Sequence, residues 1–311
     1  MKIAILGAGN MATSFATLAP ADSKVMLYTI EKEVYENINN NHLNLKYAEI
    51  KLENNISSSM NLKECLINSD IVVFSLPSKA VRSVCEEMKN FVSKKSIFII
   101  LSKGLDELTN KTMSQMISEY FDNEIVVVGG PSIANELMKK IPTFVVFASK
   151  GLTANKCKKI FQKEYYNITI SNDVLGVELC SFLKNIYAIY LGIASGLNYG
   201  MNTKSALIYN SLNEMTIICK NLGASNKSVY SLAGIGDLIV TSLSNDGRNK
   251  RFGELIAQGK SSYEAKEIIG QIIEGENALK ILRKIVDEKK ISLPIFEKIY
   301  NIVFLKGTIS I

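Results

Sequence analysis

Short, continuously apolar runs alternate with amphipathic stretches through the first half of the chain. The runs are Lys2–Leu6, Val25–Thr29, Ile71–Leu76, Ile97–Leu101, Glu124–Val128 and Thr143–Ala148, each rich in Ile, Val or Phe. A strand covered on both faces needs that continuity, so the pattern predicts parallel strands. Helical spacing falls between them at Asn10–Ala19, Asn61–Ile67, Lys79–Phe91 and Thr109–Tyr120. Strand and helix alternating through short links predict an α/β fold with a Rossmann-like, doubly wound parallel sheet. The Asn-rich stretch Asn37–Asn44 reads as a loop.

From about Asn172 the strand-like runs nearly vanish and long helical patterns take over. They cover Asp173–Leu197, Thr203–Leu222, Arg248–Gln258, Ser262–Ile268, Gly275–Glu288 and Pro294–Phe304, with Gly223, Gly259 and Gly270 placed to end helices. Two domains are expected, an α/β domain over residues 1–171 and an all-α C-terminal domain over 172–311. The most apolar stretch, Val174–Leu197, contains Glu178, Lys184 and Asn185. Two charges near the middle of a membrane span are costly, so a buried helix is expected there and no membrane insertion.

Composition narrows the chemistry. The 311 residues include a single histidine, His42, which excludes multi-histidine metal sites, and no metal is expected. The five cysteines (Cys65, Cys85, Cys157, Cys180, Cys219) are odd in number and far apart, as suits reduced thiols in a cytoplasmic protein. The start of the chain lacks a signal-peptide pattern, because Ile3–Leu6 follows one lysine and leads straight into glycines. The net charge of +6 is scattered, which suits anionic small molecules rather than nucleic acid.

The segment Ile3–Ala12 reads as strand, glycines, helix, with the spacing G-x-G-x-x-A. Gly7 permits the tight turn, Gly9 lets the backbone approach a pyrophosphate, and Ala12 lets helix and strand pack closely. The position directly after an apolar strand and before a helix is the context such a motif needs. An acid at the end of the next strand would favour NAD, and an arginine there NADP. The chain reads Thr29-Ile30-Glu31-Lys32, which leaves the choice open.

Two lysines stand out. Lys103 follows the run Ile97–Leu101 and would lie where parallel sheets bind their ligands. Lys184 has Cys180, Ser181, Tyr187 and Ala188 as helical face-mates, and none is an acid. An unpaired buried ammonium is expensive, so Lys184 needs a distant partner or a ligand, and a desolvated lysine suits proton transfer. The glycine-rich turn Leu232–Thr241 carries Asp237, which either caps the following helix or supplies the carboxylate that Lys184 lacks. Arg248 and Asn249 open a helix after Asp246-Gly247, a favourable seat for a phosphate.

Taken in order, these segments resemble the bacterial-type NAD(P)-dependent glycerol-3-phosphate dehydrogenases. The likeness runs through Gly7–Ala12, Ser75–Ser78, Ser102-Lys103-Gly104, Gly130–Glu136, Gly176–Glu178, Leu183–Asn185, Gly200–Lys204, Leu232–Thr241, Gly247–Gly253 and Ile273–Gly275. The resemblance implies reversible reduction of dihydroxyacetone phosphate to glycerol 3-phosphate with NADH or NADPH, in a cytoplasmic homodimer that supplies phospholipid synthesis. It also implies roles for residues. Lys184 would be the catalytic proton donor and Asp237 the acid beside it. Lys103, Gly130, Ser132, Asn185, Thr241, Gly247, Arg248 and Asn249 would meet substrate. Gly7, Gly9, Asn10, Met11, Ala12, Lys103, Ala134, Arg248, Ile272 and Glu274 would meet cofactor. The same residues leave room for two rivals, a related dehydrogenase of another phosphorylated carbonyl compound and a non-catalytic nucleotide sensor.

The chain departs from the family pattern in places. Gly247 stands where serine is common, Gly129 where serine is frequent, and Ile30 where an arginine or histidine often meets the extra phosphate of NADP. The last of these tilts the expectation toward NAD or dual use.

Overall fold

The computed structural model describes all residues except 245–246, 306 and 310–311, and the side chains at 48 and 49 are likewise left aside. Asp246, before the Arg248 helix, and the last residues of the second expected domain thus lie outside the described residues. The chain divides into two compact units, Met1–Val174 and Leu175–Ile311.

The first unit holds strands β1 (Lys2–Leu6), β2 (Lys24–Tyr28), β3 (Leu43–Asn44), β4 (Ala48–Lys51), β5 (Ile56–Ser59), β6 (Ile71–Phe74), β7 (Ile97–Ile100), β8 (Ile125–Gly129), β9 (Thr143–Ala148) and β10 (Tyr166–Ser171). Its helices are α1 (Asn10–Ala16), α2 (Lys32–Asn41), α3 (Leu62–Leu66), α4 (Ser78–Met88), α5 (Met113–Ile117), α6 (Ala134–Met138) and α7 (Thr153–Phe161). The main sheet runs β10-β9-β8-β7-β6-β1-β2-β5, with β3 and β4 in a separate hairpin. Strand order reverses at β1, which pairs in parallel with β2 on one side and β6 on the other. Ligands of doubly wound sheets bind at the carboxyl ends of the strands beside such a switch. Ile3, Ile5, Val25, Leu27, Ile71 and Val73 are buried in the sheet's core, with Phe15 of α1 and Phe161 of α7 packed on the same cluster. Each such side chain contributes roughly 1.5–3 kcal/mol.

The sheet is parallel except between β8 and β9, which pair antiparallel. The five-residue α6 packs against α1 and is too short to carry the chain back along a strand. So β9 sets off from near the end of β8. The Asn-rich stretch is also corrected. Asn37–Asn41 complete α2, and His42 ends it in the left-handed conformation, φ 51°. The helix holds because Val34 and Ile38, one turn apart, are buried.

The second unit is helical: α8 (Val174–Gly196), α9 (Met201–Asn221), α10 (Asn226–Val229), a wide turn at Leu232–Gly236, α11 (Asp237–Leu243), α12 (Arg248–Ala257), α13 (Ser262–Ile269), α14 (Glu274–Lys289) and α15 (Pro294–Phe304). Gly223, Gly259 and Gly270 follow or cap helix ends with positive φ, as expected. By length and hydropathy α8 could cross a membrane, but 89% of its most apolar window is buried inside the protein. Glycines let it meet α12 backbone to backbone. A Cβ on Gly192 would lie 2.1 Å from the Lys250 carbonyl oxygen, and one on Gly253 would lie 2.1 Å from that of Ile189.

Candidate active site

The first unit gathers its candidate binding residues along the carboxyl edge of the sheet. Gly7 leaves β1 with φ +108°, and a Cβ there would lie 2.5 Å from the Ser75 carbonyl oxygen. Its N–H donates to the Tyr28 carbonyl at 3.0 Å, so the turn is tied to the end of β2. Both conformation and space demand glycine at this position. Gly9 differs. Its backbone is extended, with φ −74° and ψ −178°, and a Cβ would meet nothing within 4 Å. None of the described residues requires glycine there, yet a methyl group would fill the space through which a pyrophosphate approaches the backbone in such a motif. Asn10 is exposed and Met11 half-buried in the first turn of α1, and Ala12 is buried against the sheet. These residues fit a dinucleotide.

Lys103 is half-buried just past β7. Ser102 holds the adjoining loop, since its Oγ accepts the Leu76 N–H at 3.0 Å and donates to the Leu76 carbonyl at 2.7 Å. Past β8, Gly130 turns with φ +110°, and the Ser132 hydroxyl donates to its carbonyl at 3.3 Å. Ala134 opens α6.

In the second unit Lys184 is 5% exposed. Its Nζ donates to Asp237 Oδ1 and, at 2.9 Å, to Thr241 Oγ1. The Thr241 hydroxyl reaches the same Asp237 oxygen at 3.4 Å. Asp237 and Thr241 share a face of α11 one turn apart, which is why both meet one ammonium. Gly236, not Asp237, is the cap residue of that helix, so the capping alternative falls away. The wide turn before it is tightly seated, because a Cβ on Gly234 would lie 2.1 Å from the Val229 carbonyl oxygen.

The next residue on α8 anchors a second network. Asn185 Oδ1 accepts from Asn249 Nδ2 at 2.9 Å, and Asn249 Oδ1 accepts the Gly275 N–H at 3.0 Å. Among the described residues, only one N–H of the Asn249 amide finds a partner, which leaves the other able to donate to a ligand. Arg248 is exposed beside it and donates to the Ile272 carbonyl at 3.3 Å. Gly275 packs where a Cβ would lie 2.6 Å from the Asn185 carbonyl oxygen. The start of α12 is thereby latched to the segment Ile272–Gly275, on which Ile272 is exposed and Glu274 half-buried. Gly247 sits so that a Cβ would lie 2.7 Å from the Thr241 carbonyl oxygen, so any larger residue here would push the backbone aside.

Sequence reasoning missed the glycines that bring α8, α12 and α14 together. The four-residue spacing of Gly192 and Gly196 on one helix was a usable signal for close approach. It also missed Asn44, described below. Among the described residues, no group of three or more His, Cys, Asp and Glu side chains could hold a metal ion.

Comparison with known proteins decides the family. The model of the NAD-dependent glycerol-3-phosphate dehydrogenase N-terminus matches residues 2–155, and that of its C-terminus matches 173–310. The chain belongs to the glycerol-3-phosphate dehydrogenase family. Among its relatives is the glycerol-3-phosphate dehydrogenase (NAD(P)+) of Thermoanaerobacter sp. (strain X514), 41% identical over 98% of this chain and 93% of the relative. The enzyme of the same name from Clostridium botulinum (strain Alaska E43 / Type E3) is 35% identical over the same shares. The crystal structure of glycerol-3-phosphate dehydrogenase from Coxiella burnetii superposes with a TM-score of 0.94 at 28% identity, covering 99% of this chain and 96% of that one. A family member must hold a dinucleotide and a phosphorylated three-carbon substrate, and the Gly7–Ala12 turn and the Arg248–Asn249 helix start are chemically suited to those tasks.

Proposed function

We propose that this chain reduces dihydroxyacetone phosphate to glycerol 3-phosphate, reversibly, with NADH or NADPH. The observation that carries the reading is the buried Lys184 ammonium, held by Asp237 and Thr241 on the helix before the Arg248–Asn249 seat. A structural lysine would be more cheaply replaced by an apolar residue, so a buried amine with an engineered set of partners points to chemistry.

When bound, the reduced nicotinamide supplies the hydride that reaches the central carbon of the substrate. Lys184 donates a proton from Nζ to the carbonyl oxygen, so that no free alkoxide builds up. Asp237 holds the ammonium in place and keeps its charge near the oxygen where negative charge develops. Thr241 fixes the direction of the amine. Arg248 and Asn249 take the substrate phosphate, with Gly247, Asn185, Lys103, Gly130 and Ser132 completing the substrate contacts. Gly7, Gly9, Asn10, Met11, Ala12, Lys103, Ala134, Arg248, Ile272 and Glu274 take the cofactor.

The proposal extends to setting. All five cysteines are buried free thiols, which supports a reducing, cytoplasmic compartment. The burial and charges of α8 support a protein that does not insert into a membrane. Family membership supports a homodimer and a role in supplying the glycerol backbone of phospholipids.

The test is the initial rate of loss of reduced-nicotinamide absorbance with dihydroxyacetone phosphate, against unphosphorylated dihydroxyacetone. Turnover with the first and a rate at least about a hundredfold lower with the second is expected, since a lost charge-assisted pair is worth several kcal/mol in the transition state. No turnover with either would overturn the reading.

A further inference from the structure

The hairpin β3–β4 is fastened to the glycine turn. Asn44, fully buried, donates from Nδ2 to the Ala8 carbonyl at 2.8 Å and to Thr13 Oγ1 at 2.7 Å. That grip fixes the tip of the hairpin, two and three residues on, over the chain that leaves β2. There Lys46 Nζ pairs with Glu31 Oε2, and the Tyr47 hydroxyl donates to Glu31 Oε1 at 2.7 Å. Glu31 caps the start of α2, and its N–H donates to Thr29 Oγ1 at 3.1 Å. Ile30, the residue between, is 78% exposed and has no charge to offer.

The adenosine ribose of a dinucleotide lies past the end of the second strand of such a sheet. An acid there accepts the ribose hydroxyls of NAD and repels the 2′-phosphate of NADP, whereas a cation accommodates that phosphate. This chain brings one of each to the same place from two separate segments. We propose that Lys46 and Glu31 set the choice of cofactor, Lys46 as the partner of the 2′-phosphate of NADP and Glu31 as the acceptor for the ribose hydroxyls of NAD. The proposal rests on the dinucleotide-binding reading above. The Lys46 side chain is 46% exposed on a flexible stem, so exchanging one anion for another needs little rearrangement. Tyr47 keeps the Glu31 carboxylate in position when Lys46 turns away. The Lys46 and Tyr47 hydrogen bonds also hold the Glu31 carboxyl below the usual carboxylate range, so it is ionised at neutral pH.

The test is calorimetric binding of NADH, NADPH, adenosine 5′-monophosphate and adenosine 2′,5′-bisphosphate to the full chain. Lys46→Met is expected to weaken NADPH and the bisphosphate about tenfold, one charge-assisted contact, and to leave NADH and the monophosphate within about twofold. Lys46→Arg should retain NADPH binding, and Glu31→Gln should tighten NADPH severalfold while weakening NADH. A Lys46→Met protein whose NADPH-to-NADH ratio equals that of the wild type overturns the proposal. A wild-type protein that binds neither dinucleotide overturns the functional reading instead.

Discussion

Lys184 and Asp237 are 53 positions apart in sequence and share a buried ion pair, with 5% and 1% of each residue exposed. Breaking such a pair leaves one charge stranded, at a cost of about 3–5 kcal/mol, whereas replacing both by apolar groups is close to neutral. Asp237→Ala should therefore lower unfolding free energy by that amount in urea titration. Lys184→Met with Asp237→Leu should recover most of it and still lack turnover. Lys184→Ala should abolish turnover while the dissociation constant for reduced cofactor stays within about twofold of wild type, since Asp237 and Thr241, which hold Lys184, are not among the residues assigned to the cofactor. A Lys184→Ala protein that turns over at near-normal rate would remove Lys184 from the mechanism.

Gly7 and Gly9 separate folding from binding. Gly7→Ala meets the Ser75 carbonyl at 2.5 Å with φ +108°, so it should destabilise by about 2 kcal/mol or more. Gly9→Ala meets no protein atom within 4 Å and should melt like the wild type. It should nonetheless lose at least about tenfold in dinucleotide affinity, because the methyl group takes the space a pyrophosphate needs. Thermal denaturation paired with calorimetry distinguishes the two, and equal effects of both substitutions would contradict this division.

The close approach of α8 to α12 lies one helical turn beyond Asn185 and Asn249. Gly253→Ala places a methyl 2.1 Å from the Ile189 carbonyl oxygen, and neither backbone can yield without moving its helix. The expected loss is about 1–3 kcal/mol by chemical denaturation, with KM for the phosphorylated substrate raised as Arg248 and Asn249 shift from α8. Unchanged stability in that variant would mean that the helices are not in backbone contact.

Glu214 should make stability rise toward acid pH. Burial pushes its carboxyl above the usual carboxylate range, against the N–H groups of Ile295 and Phe296 and the Tyr187 hydroxyl, which hold it lower. A raised folded value means that the native state binds the proton more tightly, so the contribution is complete below the unfolded value and fades as pH climbs through the folded one. Relative to Glu214→Gln, whose amide does not titrate, the wild type should gain Tm as pH falls from neutral and level off below pH ~4, under the carboxyl's unfolded value. The opposite slope would assign the carboxyl the wrong environment.

Much of this was legible in residue order alone, and the exceptions share a cause. Interior strands such as Ile71–Phe74 announce themselves because both faces are covered. The two strands passed over at the rims of the sheet, Ile56–Ser59 and Tyr166–Ser171, carry serine, asparagine and threonine, because an edge has fewer apolar neighbours to satisfy. The glycine turn, the lysine in an oily helix and the basic helix start were readable as chemistry, since each is a local pattern with a local cost.

Sequence alone thus determined the interior strands and long helices, the nucleotide-type turn and the fact that Lys184 needed a partner. Tertiary structure decided which partner it took, that β9 would run against β8, and that Lys46 would come to lie on Glu31. Local patterns are written in residues a few positions apart, where backbone geometry fixes who meets whom. Pairings across tens of residues depend on how helices and strands pack, and that is settled only when the whole core closes.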